Sequence, residues 1–108
     1  DLFTQASTHE GYGISVAEAM AMKVPVFLSD IPVFKEVTDG NALFFPLTDA
    51  RAVADSLKQL KENESLLAEV AESACHYIHS TASESVYKEK LEKIYLSLVP
   101  NYNLELVN

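Results

Sequence analysis

Two carboxylates and two glycines sit close together near the start of the chain, at Glu10, Gly11, Gly13 and Glu18 in "EGYGISVAE". The whole chain holds only three glycines, so two of them in one short turn point to a backbone with a special task. Glycine takes positive φ without strain and lets a ligand approach the main chain with no Cβ in the way. A helix opening after such a turn offers unpaired N–H donors and a partial positive charge, which suits phosphate. Carboxylates supply the complementary chemistry, because they accept hydrogen bonds from ribose hydroxyls. Glu18 also has a purely structural use. With Ser15 as N-cap, "SVAE" has the spacing of a capping box, in which Glu18 bonds back to the backbone. Glu10 has no such helical role, and the glycines alone are equally compatible with a tight strand-to-helix turn.

The elements that must position these residues follow from the hydrophobic pattern. Residues 2 to 7, "LFTQAS", form a short β-leaning run that stops at the polar turn "STHEGYG". From Ser15 to Met22 the Ala, Met and Glu content predicts a short helix. Pro25 opens "PVFLSD", a continuous apolar run suited to a strand buried on both faces. "IPVFKEV" predicts one or two helical turns with Pro32 in the first turn, and a turn at Asp39-Gly40 leads to a third strand, Ala42 to Phe45. Beyond Pro46 the chain is helical. Thr48 or Asp49 caps a helix to about Glu62 with Ala50, Val53, Ala54, Leu57 and Leu60 on one face. Asn63 caps the next, with Leu66, Leu67, Val70, Ala71, Ala74, Tyr77 and Ile78 as its apolar stripe. Thr81 and Glu84 have capping-box spacing before a last helix expected to bury Tyr87, Leu91, Ile94, Tyr95 and Leu98 and to stop at Pro100. Glu84–Lys88 and Glu89–Lys93 stand at i,i+4 on its outer face.

The order β-α-β-α-β-α-α-α predicts an α/β fold with parallel strands and right-handed crossovers. In such sheets ligands bind beyond the C-terminal ends of the strands, where strand order reverses. The "HEGYG" turn falls at the end of the first strand. Three strands make a thin sheet, and the first residue is Asp1 rather than Met; both suggest one partial domain, residues 1–108, cut from a longer one.

Composition narrows the partners. With 16 acidic and 8 basic residues the formal charge is −8, and the bases are scattered, so no stripe exists to neutralise a phosphate backbone. Nucleic acid is excluded as an expected partner, and an anionic membrane surface is disfavoured for this stretch. The single cysteine, Cys75, makes no internal disulfide and fits a reducing compartment, so a cytoplasmic setting is expected. Neither a run long enough to span a membrane nor a signal peptide is visible.

The segment "STHEGYGISVAEAMAMKVPVFLSDIPVFKEVTDGNALFFPLTD" resembles the hallmark region of retaining nucleotide-sugar glycosyltransferases of family 4, also called group 1. The family pattern is close to E-G-F-G-L-P-x-x-E-A-M-A-x-G-x-P-V. Glu10, Gly11, Gly13, Glu18, Ala19, Met20, Ala21, Pro25 and Val26 match it. So do the following "SD", Glu36 before a turn, and "ALFFP"; past residue 49 the likeness is only helical pattern and the "KIY" ending.

The resemblance implies a GT-B architecture of two Rossmann-like domains, this chain being the C-terminal part of the donor-binding one. It implies that Glu10 contacts donor-sugar hydroxyls, as the catalytic position, and that Gly11, Gly13, Ile14 and Glu18 bind the nucleotide-sugar. Glu18 would hold the ribose, and the amides of Gly13 and Ile14 would meet the diphosphate or sugar. No cofactor or metal is expected, and the sequence has no Asp-x-Asp or His/Cys ligand spacing. The partners implied are a UDP- or GDP-sugar and a carbohydrate or lipid-linked acceptor, in polysaccharide assembly, with the parent protein peripheral at the inner membrane.

Departures from the pattern carry weight. Ser15 stands where the family usually has proline, which keeps the capping-box reading of Glu18 open. Lys23 stands where a glycine is common, so that loop is expected to differ in shape. The family's Lys and Arg that clamp the diphosphate lie upstream, so the 108 residues alone are expected to be inactive and to bind nucleotide weakly. A phosphorylase or a sucrose or glycogen synthase shares the architecture and stays open, as does a non-catalytic α/β module. With the strand that normally pairs with the first one missing, a bare edge at residues 2 to 7 is expected to drive self-association.

Other polar residues have plainer readings. His9 reads as loop polarity, His76 and His79 as a solvated helix face, and Cys75 as a partly buried inert thiol. Asp30 either lines the cleft or caps the short helix after it.

Overall fold

The computed structural model describes residues 1–99. Its elements are β1 (Phe3–Gln5), α1 (Ile14–Ala21), β2 (Val26–Ser29), α2 (Pro32–Thr38), β3 (Leu43–Phe45), α3 (Ala50–Glu62), α4 (Glu64–Ala82) and α5 (Glu84–Leu98). The predicted α/β order is therefore present, element for element. All three strands are parallel in the order β1-β2-β3, with Phe3 opposite Val26 and Phe27 opposite Leu43. No reversal of strand order occurs within this sheet, and β1 pairs with β2 alone among the described residues.

β2 shows why its sequence is apolar throughout: every one of its residues is buried. Side chains alternate across a strand, so Val26 and Leu28 enter one core while Phe27 enters the other. The larger core gathers Val16 and Met20 of α1, Phe34 of α2 and Ala74 and Ile78 of α4. The smaller one, on the opposite face, joins Phe27, Phe45 and Leu60 of α3, with the two phenyl rings 4.6 Å apart between centroids. Helices on both faces of a parallel sheet are what a strand buried on both sides requires.

Local signals set the helix boundaries. Pro32 occupies the first turn of α2, where its missing N–H costs nothing. Asp49 caps α3 by accepting from the N–H groups of Arg51 and Ala52 at 3.0 and 3.1 Å. Asn63 caps α4 through Leu66 N–H at 3.2 Å. Asp39 and Gly40 both take positive φ, which turns the chain from α2 into β3.

Expectations fail here at Thr81 and at α5, and one of the two readings of Asp30 falls away. α4 runs on to Ala82, so Thr81 is still helical and its hydroxyl donates to the Tyr77 carbonyl at 2.8 Å instead of capping α5. Ser83 takes the N-cap place without a side-chain cap bond. Asp30 does not cap α2 either; Ile31 holds that position, and Asp30 pairs with Lys35 at 2.6 Å. On α3, Ala50 and Ala54 are exposed, and only Leu60 is fully buried. The largest departure is α5, which buries no side chain: Tyr87 is 65% exposed, Ile94 55% and Leu98 71%. α5 touches chiefly α4 and lengthens the molecule to 59 Å against 27 and 16 Å in the other directions. Its Lys93 reaches Glu89 at 2.8 Å, the expected i,i+4 pair. The stop at Pro100 lies outside the described residues.

His79 is more than a solvated group. Its Nε2 lies 3.2 Å from the Ala21 carbonyl, which also accepts from Cys75 Sγ at 3.6 Å, so two α4 side chains tie down the C-terminal end of α1. Lys23 follows with φ 60, left-handed backbone that suits glycine. It also pairs with Glu72 of α4. The hydrogen bond to Glu72, and then its charge, hold the Lys23 ammonium above its ordinary pKa.

Candidate functional site

The turn between β1 and α1 is built from both of its ends. β1 delivers Gln5 at its C-terminal end, on the same strand face as Phe3, which packs against the larger core beneath α1. α1 begins at Ile14 because Gly13 sits just before it with φ 88. The Gly13 carbonyl accepts from Val16 and Ala17, both at 3.1 Å, and starts the helical ladder. A Cβ on Gly13 would come within 3.3 Å of the Phe34 ring, and Phe34 is fully buried. Glycine is thus demanded twice at this position, by φ and by packing. Gly11 differs from the expectation. Its φ is not left-handed, it is exposed, and a Cβ there would meet open space.

No side chain caps α1. Ser15 is the second helical residue rather than the N-cap, which overturns the capping box and with it the structural use of Glu18. Its hydroxyl instead donates to Gln5 Oε1 at 3.3 Å. The N–H groups of Ile14 and Ser15 have no partner among the described residues. Orphan donors at a helix start carry the positive end of the helix dipole.

Glu10 is held from two sides. The Gln5 side-chain amide donates to its Oε1 at 2.5 Å, and Ser7 Oγ donates to the same oxygen at 2.6 Å. The second Gln5 N–H reaches Ser7 Oγ at 3.1 Å. Ser29, fully buried at the end of β2, donates to the Ser7 carbonyl at 2.6 Å and fixes the base of the loop. Glu10 Oε2 accepts from nothing among the described residues. Glu18 is exposed on α1, and its carboxylate is likewise without a partner there. Ile14 is exposed at the helix start, while His9 is an exposed loop residue.

A cleft of about 370 Å³ opens beside this turn, lined by Gly11 and Tyr12, by Glu36 of α2, and by Tyr77 and Lys90 of the helical half. Neither Glu10 nor Glu18 lines it. Sequence reasoning missed Gln5, Ser7 and Ser29, and read Ser15 only as an N-cap. "STHE" at residues 7 to 10 does carry Ser-x-x-Glu spacing, but no helix follows it, so the serine turns to the carboxylate instead of to backbone N–H groups. Among the described residues, no three of His, Cys, Asp and Glu stand close enough together to hold a metal ion.

The fold and the turn together define an α/β unit with an uncapped, glycine-started helix at the C-terminal end of a parallel strand, flanked by carboxylates. A sequence profile described as Glycosyl transferases group 1 matches residues 1–76. The chain belongs to that family. It is 42% identical over 62 residues to the "Serotype-specific mannosyltransferase WbdA" of Escherichia coli, covering 54% of this chain and 8% of that protein. It is 41% identical over 56 residues to the "O-antigen chain mannosyltransferase RfbU" of Salmonella typhimurium, covering 52% and 16%. The "Alpha-monoglucosyldiacylglycerol synthase" of Acholeplasma laidlawii matches at 31% over 108 residues, 98% of this chain and 26% of that protein. The chain therefore spans about a quarter or less of the length of these relatives. No described helix is long and apolar enough to cross a membrane.

Proposed function

We propose that this chain is the C-terminal part of the donor-binding domain of a retaining family 4 glycosyltransferase, which moves a sugar from a nucleotide-sugar to a carbohydrate or lipid-linked acceptor. The observation that carries the reading is the uncapped start of α1: Gly13 at φ 88 and two N–H groups unpaired among the described residues. The departing nucleoside diphosphate gains negative charge as the sugar leaves, and fixed donors at a helix terminus stabilise such charge without rearranging. Glu10 accepts from a hydroxyl of the donor sugar, and Glu18, free of any cap, accepts from the ribose. The amides of Gly13 and Ile14 face the diphosphate or sugar, and Gly11 belongs to the same binding turn. No metal or other cofactor takes part in this reading.

Lys35 is engaged by Asp30 and Lys23 by Glu72, and the turn itself carries no Lys or Arg. In this reading the basic side chains that hold the diphosphate come from elsewhere in the polypeptide, as the family resemblance implies, and residues 1–108 alone are inactive. Relatives named for O-antigen mannosyl transfer and for a glucosyl lipid support a hexose donor and an envelope polysaccharide or lipid acceptor; the reading sets the enzyme in the cytoplasm, peripheral at the membrane. The bare edge of β1 pairs with a further strand of the donor domain, and in the isolated chain it recruits a second copy through residues 2 to 7. Strictly monomeric sedimentation at high concentration would count against that.

The test is to titrate UDP and GDP into the isotope-labelled complete donor domain. Shift changes at Glu10 to Glu18 are expected with one of the two. Silence there toward both would mark the unit as a non-catalytic α/β module.

A further inference from the structure

We propose that Gln5 and Ser7 are positioning residues that aim one oxygen of Glu10 at the donor sugar, with Ser15 locking Gln5 from the first turn of α1. The inference rests on the reading of Glu10 given above. The Gln5 amide nitrogen has two N–H donors, and both are spent, one on Glu10 Oε1 at 2.5 Å and one on Ser7 Oγ at 3.1 Å. Its oxygen accepts from Ser15 Oγ at 3.3 Å. Turning the amide over would set its oxygen against the Glu10 carboxylate and its nitrogen against the Ser15 hydroxyl, so one orientation satisfies every partner.

The carboxylate then has two unlike ends. Oε1 takes two donors, from Gln5 and Ser7, whereas Oε2 takes none among the described residues. A glutamate in a loop ordinarily samples several rotamers, and fixing it before the ligand arrives removes that cost from binding. The support is anchored in regular structure: Gln5 is the last residue of β1, Ser7 is tied through its carbonyl to the fully buried Ser29 of β2, and Ser15 lies on α1. Three elements thus converge on one side chain. Sites supported in this way are more exact than sites on free loops.

The consequence is specific to the sugar half of the donor. Losing Gln5 frees Glu10 but leaves the N–H groups at the start of α1 in place, so a free nucleotide is held as before. Damage to the fold would weaken nucleotide and nucleotide-sugar alike. The experiment is calorimetric titration of the full-length protein with UDP and GDP and with UDP-glucose, UDP-N-acetylglucosamine and GDP-mannose. Gln5→Ala is expected to weaken the nucleotide-sugar about tenfold, the order expected when a hydrogen bond to a charged group is removed. The nucleotide itself should stay within about twofold. Ser7→Ala should follow the same pattern more weakly, and Ser7→Thr, which keeps the hydroxyl, should restore binding.

In a Glu10→Ala background, adding Gln5→Ala should change nothing further, because Gln5 acts only through Glu10. An equal loss in both backgrounds, or equal weakening of nucleotide and nucleotide-sugar, would overturn the positioning role while leaving Glu10 as a sugar contact. Unchanged sugar binding in Glu10→Ala itself, or no binding of any of the three donors, would overturn the site reading and this proposal together. If Gln5→Ala does not fold, the contrast of Ser7→Ala with Ser7→Thr decides the same question.

Discussion

Phe34 and Ile94 are both large apolar side chains on helices, and they meet opposite fates. Phe34 on α2 is fully buried against the larger core, while Ile94 on α5 remains 55% exposed. The sheet half closes around its apolar residues because β2 offers two faces and a helix covers each. α5 has the same kind of stripe but packs chiefly on α4. Amphipathic spacing tells which side of a helix is apolar. It does not tell whether anything stands opposite.

The sharpest test of that contrast is a pair of truncations. Phe34→Ala in the 108-residue chain should cost about 3–5 kcal/mol, the loss for emptying a packed aromatic site. Ile94→Ala should stay within about 0.5 kcal/mol, as surface changes do. Urea denaturation followed by circular dichroism compares the two, and equal costs would mean that α5 belongs to the cooperative core after all.

A middling effect is expected within the candidate site, between its glycines. Gly13→Ala forces a Cβ into left-handed backbone, at about 1–2 kcal/mol, and against the Phe34 ring as well. Gly11→Ala meets open space and should stay within about 0.5 kcal/mol. Thermal melts of the two variants measure the difference. A Gly11 variant as unstable as the Gly13 one would show that the loop is more constrained than its backbone angles indicate.

The smallest effect concerns Lys23, at the far end of α1. Lys23→Ala loses the pair with Glu72 and keeps the left-handed backbone, whereas Lys23→Gly loses the pair and relieves the strain. The glycine variant should melt a few degrees above the alanine variant. The sign of the pH dependence follows from the Lys23 pKa, which folding raises above 10.5. The stabilising share of this pair is full below pH 10.5 and is lost as pH rises through the folded value. The wild-type advantage over Lys23→Ala should therefore shrink in alkali, and an advantage that grew with pH would contradict the pairing.

Much of this was readable in advance, for reasons that are local. The run "PVFLSD" read as a doubly buried strand because continuous apolar residues have few other places to go. Asp49 and Asn63 read as caps because each can reach N–H groups two or three residues on. Lys23 stood out because glycine is usual there; a loop of different shape was expected, yet its φ of 60 is the backbone that glycine adopts. Ser15 misled because capping-box spacing does not reveal which residue leaves helical geometry; Gly13 left it first, with φ 88. Thr81 misled in the same way, since α4 had not yet ended. Gln5 carried no signal, because its partners lie two, five and ten residues away and meet it only where β1 runs beneath α1.

By itself, then, the sequence determined the order of elements, the two apolar faces of β2, the caps of α3 and α4 and the glycine-bearing turn before α1. Each depends on periodicity or on contacts within a few residues. Only the tertiary structure decided that Glu18 is free of a cap, that Glu10 is gripped through one oxygen, and that α5 buries none of its side chains fully. Those three outcomes depend on which surfaces meet across the fold, and side-chain pairing at a distance is set by packing rather than by spacing along the chain.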